Sequence, residues 1–230
     1  MNLSVLFPGL AFFLGVAVSI YLFIEWLRHK KQKWLLYLAL ALFLMYWFQV
    51  PVILTSLGKA IVQSDFNLFF AITFPITFVA LILIYLGVID AVQIRLTGKL
   101  KLLFFAWFLF ALAFFVQQFI VQEGVIQDYP LPLFGNIAFY LPIRLLIIAT
   151  LAKWLWKSQN KTIYGVLGAS AIILESILGL IRNFLVVKNV LAYPPEFWYV
   201  VLGGLEIFFI LQTASIIVLA IGFFFLHFRQ

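Results

Sequence analysis

Residues 163–187 read IYGVLGASAIILESILGLIRNFLVV, and Glu175 and Arg182 are the only charged side chains among them. A hydrocarbon core of about 30 Å is crossed by about 20 apolar residues in an α-helix, so this run is long enough to span a bilayer. Working outward from it, six more runs qualify: 5–27, 34–54, 66–88, 102–121, 131–154 and 197–226. A membrane barrel would instead alternate apolar and polar residues over about ten positions, and these runs are continuous. The fold class that follows is an all-α, polytopic integral membrane protein. It is a seven-transmembrane-helix bundle in a single domain over residues 1–230, with antiparallel neighbours across short connections.

Composition agrees. The chain is 66% hydrophobic and 10% charged, against about a quarter charged in soluble domains. With no cysteine, disulfides, thiolate nucleophiles and iron–sulfur clusters are excluded. The net charge of +7 does not indicate nucleic acid, because the basic residues sit in short loops between apolar runs. Arg28, Lys30, Lys31, Lys33, Arg95, Lys99, Lys101, Lys153, Lys157, Lys161 and Arg229 all fall on one side, and only Lys59 and Lys188 on the other. Eleven against two makes the first side cytoplasmic, so the N-terminus is outside and the C-terminus inside. The first basic cluster follows the first apolar run, which suits an anchored helix and not a cleaved signal peptide. The expected setting is a multi-pass position in a bacterial or archaeal plasma membrane, with lipid as the main partner.

An ionisable group at the bilayer centre costs at least about 2.5 kcal/mol on insertion scales, so it faces the bundle interior, a partner or water. At about 1.5 Å per residue, Arg144 of the fifth run, Glu175 of the sixth and Glu206 of the seventh lie near the midplane. Glu175, Gly179 and Arg182 fall at i, i+4 and i+7 on one helix face, with Asn183 at its border. Asn136, Tyr140 and Arg144 form a second stripe, and Gly203, Glu206 and Thr213 a third with Gln212 beside it. Two readings stand. The two arginines and two glutamates can neutralise one another as a structural network, which is weak grounds for stability. Alternatively they line a site for a small polar or anionic ligand, a proton or an ion. The candidate ligand-binding set is Arg144, Glu175, Arg182, Glu206, Tyr140, Asn136 and Gln49, the last near the centre of the second run.

Several chemistries lack their residues. The seventh run has no lysine for a Schiff base, which argues against a covalently bound retinal. The only histidines, His29 and His227, sit at the cytoplasmic edge, and no H-E-x-x-H motif occurs, so no metal or other cofactor is expected. No acid–base or nucleophile set is recognisable, and no catalytic residue or enzyme activity is expected. The leading expectation is a sensor or receptor-like bundle with its ligand site among helices 5–7, signalling through a separate membrane or cytoplasmic protein partner. In size and orientation the chain resembles the membrane portions of bacterial sensor kinases, a resemblance of layout only. A transporter for a small solute, ion or proton is the alternative. Helices 1–3 and 5–7 run in the same directions around a linking helix 4, as in a carrier built from parallel repeats. An accessory structural subunit of a membrane complex is the third possibility.

Overall fold

The apolar runs fold as helices, and those over 5–27, 66–88 and 131–154 extend past both ends of their runs. In this computed structural model residues 3–30, 32–45, 63–121, 130–157, 162–193 and 206–228 are described. Side chains are described from residue 9 in the first segment, over 72–118 in the third, and from 133 and 210 in the fourth and last. The helices are α1 (Leu3–Arg28), α2 (Lys33–Met45), α3 (Gln63–Ala91), α4 (Gly98–Val121), α5 (Pro130–Lys157), α6 (Ile163–Ala192) and α7 (Glu206–His227). Six of these are long and apolar enough to cross a membrane, and α2 is a shorter apolar helix over its described residues. This is a multi-pass, all-α membrane bundle.

α1, α2, α3, α5, α6 and α7 form a closed ring in that order, with α7 packed back on α1 and also touching α2. α4 lies outside the ring against α3 and α5. It is held by rings: Phe78 of α3 meets Trp107, Phe108 and Phe115 of α4 and Phe139 of α5. Its other face presents Leu102, Leu103, Phe105, Leu109 and Phe110 outward, where lipid is the apolar solvent.

The first eleven residues of α5, Pro130–Tyr140, are wound as a π-helix, where the sequence pattern predicts plain α. Pro142 supplies the cause. It has no N–H for the Ala138 carbonyl four residues back, and its ring crowds that oxygen. Wider winding upstream relieves the crowding. The Trp107 indole N–H of α4 donates to the freed oxygen at 3.3 Å. Hydrocarbon offers no water to do this, so a neighbouring helix does. Pro75 leaves α3 unbroken. Thr77 donates to the Thr73 carbonyl at 2.7 Å, and Tyr140 of α5 to the Phe74 carbonyl at 2.6 Å.

Two close helix approaches correspond. Gly87 of α3 lies against Leu38 and Tyr37 of α2, and Gly222 of α7 against Gly168 and Ile172 of α6. Leu38 and Gly168 each stand five residues after the first residue of their helix, Lys33 and Ile163. Exchanging helices 1–3 with 5–7 therefore preserves both the ring order and this contact.

At the basic-loop end, Glu25 is 8% exposed and pairs with Arg28 at 2.8 Å, with His29 at 3.7 Å and His227 of α7 at 3.9 Å. Asp90 accepts from the Trp34 N–H at 3.0 Å, in the first turn of α2. The free N–H groups and positive dipole end there favour a carboxylate.

A Cβ on Gly168 would run into the backbone of Leu226 and Gly222, whereas one on Gly9 would meet nothing. Gly168→Ala should therefore lower stability by about 1–3 kcal/mol, the usual cost of overpacking. Gly9→Ala should leave it unchanged or slightly raised, both read from thermal unfolding in detergent. Two residues past the end of α3, Gln93 has φ 57, and Ile94 N–H donates back to Ile89 at 2.8 Å. Glycine is the usual residue at such a left-handed cap, so Gln93→Gly should stabilise by about 1 kcal/mol on the same measurement.

Candidate functional site

Arg144 lies thirteen residues before the end of α5, Glu175 twelve after the start of α6, and Ser215 twelve before the end of α7. All three thus stand about 18–20 Å from the basic-loop end, and their side chains meet there. Arg144 Nη1 donates to both Glu175 oxygens, at 3.0 and 3.2 Å. Ser215 Oγ donates to Glu175 Oε1 at 2.8 Å. Arg144 and Glu175 are both fully buried.

Gly179 makes room for this pair. Any Cβ there would overlap the Arg144 guanidinium, which lies flat against the glycine backbone one turn beyond Glu175. The i, i+4 spacing of Glu175 and Gly179 thus sets a carboxylate beside a slot for its cation. Nε and Nη2 of Arg144 have no acceptor among the described residues, and neither Ser176 Oγ nor Asn183 Nδ2 has a partner among them. Ser176 and Asn183 flank Gly179 on α6, at i−3 and i+4.

Polar groups continue from this level away from the basic loops. Tyr140 is buried, spans to α3 and lies beside the Thr77 hydroxyl. Arg182 is 6% exposed and within electrostatic reach of Arg144, Glu175 and Tyr140. Asn136, Asn183, Gln212 and Thr213 are buried around them. Toward the basic loops the character reverses. Ile147, Leu151, Ala169, Ile172, Leu219 and Phe223 are all fully buried there, and Gly168 and Gly222 bring α6 and α7 into backbone contact. The polar column is therefore closed at one end.

No family model, curated protein or solved structure matches this chain. The site's own geometry carries the functional argument.

Of the residues marked out by sequence, Arg144, Glu175, Arg182, Tyr140 and Asn136 are buried together in one half of the bundle. Gln49 lies outside the described residues. Glu206 opens the described part of α7, and its side chain is outside the described set. Its backbone stands nine residues from Ser215, about 13 Å along the axis. That is closer to the level of Arg182, seven residues past Glu175 and about 10 Å further out. Ser215 was not marked out by sequence. It sits on the inward stripe Gln212, Ser215, Leu219, Phe223, Leu226, legible only by projecting that apolar periodicity backward. The Thr77 hydroxyl donates to the Thr73 carbonyl within α3 and also meets the Tyr140 hydroxyl of α5.

Removing one member of a buried pair strands the other charge, whereas replacing both by apolar residues is often neutral. Glu175→Leu should cost about 3–5 kcal/mol, and Arg144→Met with Glu175→Leu should restore most of the loss. A chemical or thermal unfolding cycle in detergent measures both. Gly179→Ala should mimic Glu175→Leu in direction, because it displaces the guanidinium without touching a charge.

Proposed function

We propose that this protein is a receptor-type seven-helix membrane bundle of a bacterial or archaeal plasma membrane. A small anionic ligand reaches it from the end opposite the basic loops and binds among α5, α6 and α7. Its occupancy is read at the basic-loop end by a separate protein partner, and no reaction is catalysed. The observation that carries this reading is the one-sidedness of the buried polar column. Arginines, amides and hydroxyls fill it from the Arg144 level outward, and an apolar, glycine-tight seal closes it on the side of the basic loops. Buried ionisable groups in hydrocarbon point to a ligand or a pathway, and a polar column sealed on the basic-loop side suits binding better than passage. Coupling to the far end has a route: α7 contributes Ser215 to the ion pair and His227 to the cluster around Glu25.

A carrier is the second reading, favoured by the matching glycine approaches of the two helix triplets. Parallel repeats related by an axis along the membrane normal are one plan on which carriers are built.

The chain has no cysteine, so Lys30→Cys and Lys157→Cys give a unique label pair at the basic-loop end. In vesicles, acetate, lactate, chloride and phosphate are each tested for binding, for change in the label distance and for uptake. The receptor reading expects at least one anion to bind and shift the distance without accumulating inside. Accumulation would replace it by the carrier reading. An anion that binds and leaves the distance unmoved, or no binding by any of the four, would refute it.

A further inference from the structure

The Arg144 guanidinium is used on one side only. Glu175 takes Nη1. Nε and Nη2 remain, buried and without an acceptor among the described residues. These two nitrogens form the side edge of the guanidinium, where two N–H bonds run parallel. Their spacing matches the two oxygens of a carboxylate. An unsatisfied charged donor in the middle of a membrane is costly, and three N–H bonds are left over here.

From this geometry we infer that the ligand is a small monocarboxylate, held two-pronged by Nε and Nη2 of Arg144 while Glu175 keeps Nη1. The inference rests on the receptor reading and specifies the chemistry of that same site. Arg182, which lies within electrostatic reach of Arg144 and Glu175, places a second positive charge near that edge. The surrounding groups suit an oxyanion. Ser176 and Asn183 flank Gly179 on the helix face that carries the guanidinium, and the hydroxyl of one and the amide nitrogen of the other are buried without partners among the described residues. Chloride is a single sphere that cannot use two parallel N–H bonds as two oxygens can. Phosphate brings more charge than the two arginines and Glu175 balance.

The test uses the whole chain in lipid nanodiscs at constant ionic strength. Formate, acetate and propionate are titrated beside chloride and phosphate, with thermal unfolding as the first readout. The second is a magnetic-resonance contact between 13C-carboxyl acetate and 15N-labelled arginine side chains. Saturable stabilisation by the carboxylates, with an acetate contact to Arg144 Nε, is the expected result. Arg144→Lys keeps the charge and loses the two-pronged edge, so it should weaken acetate by about tenfold or more. Gly179→Ala should do the same by displacing the guanidinium. The wild-type contact stands as a test even if neither variant folds. Stabilisation by chloride or phosphate alone, or equal acetate affinity in Arg144→Lys, overturns the carboxylate assignment and leaves a receptor for another ligand standing. Acetate bound with no arginine contact overturns the assignment to this edge. Absence of binding by all five removes the assignment, and the receptor reading is then decided by its own label-distance measurement.

Discussion

A guanidinium and a carboxylate in the middle of hydrocarbon need each other, and much of the second half of this bundle is arranged around that need. Glu175 collects donors from two other helices, Arg144 on α5 and Ser215 on α7. Those bonds fix three helices at one level and in one rotation. Apolar packing alone specifies less, because lipid tails solvate leucine as well as a neighbouring helix does. Gly179 is the steric counterpart of this electrostatic lock, since it leaves space for the guanidinium against the helix backbone.

The same constraint governs the backbone. Each proline inside a span costs a hydrogen bond that water cannot replace. Around Pro142 the replacement comes from Trp107 of α4; near Pro75, Thr77 and Tyr140 donate as second partners to the Thr73 and Phe74 carbonyls. These bonds also do assembly work. The Trp107 bond is a polar tie between α4 and the ring, and the Tyr140 bond ties the second helix triplet to the first. Aromatic packing around Phe78 completes that junction.

How far this was legible in the sequence follows from which forces act along the chain and which act across it. Helix number and approximate extent could be read, because hydrocarbon imposes a length and a composition on each span separately. The burial of Arg144, Glu175 and Arg182 was foreseeable for the same reason. Pairing was not. That Arg144 chooses Glu175, and that Ser215 joins them, depends on the rotation of α7, which the stripe through Thr213 left undetermined. The π-winding of α5 was out of reach as well, because prolines occur in many helices that stay regular and local crowding decides the outcome. Asp90 shows the same limit, because its role as a cap on α2 depends on which helix end packs beside it.

The two glycine approaches, Gly87 on α2 and Gly222 on α6, have a consequence for how the charges are distributed. Aligning Leu38 with Gly168 sets Met45 opposite Glu175, and Met45 is buried and apolar. Among the described residues, the level that carries the ion pair on α6 is therefore apolar on α2, although the two helices share the same glycine approach.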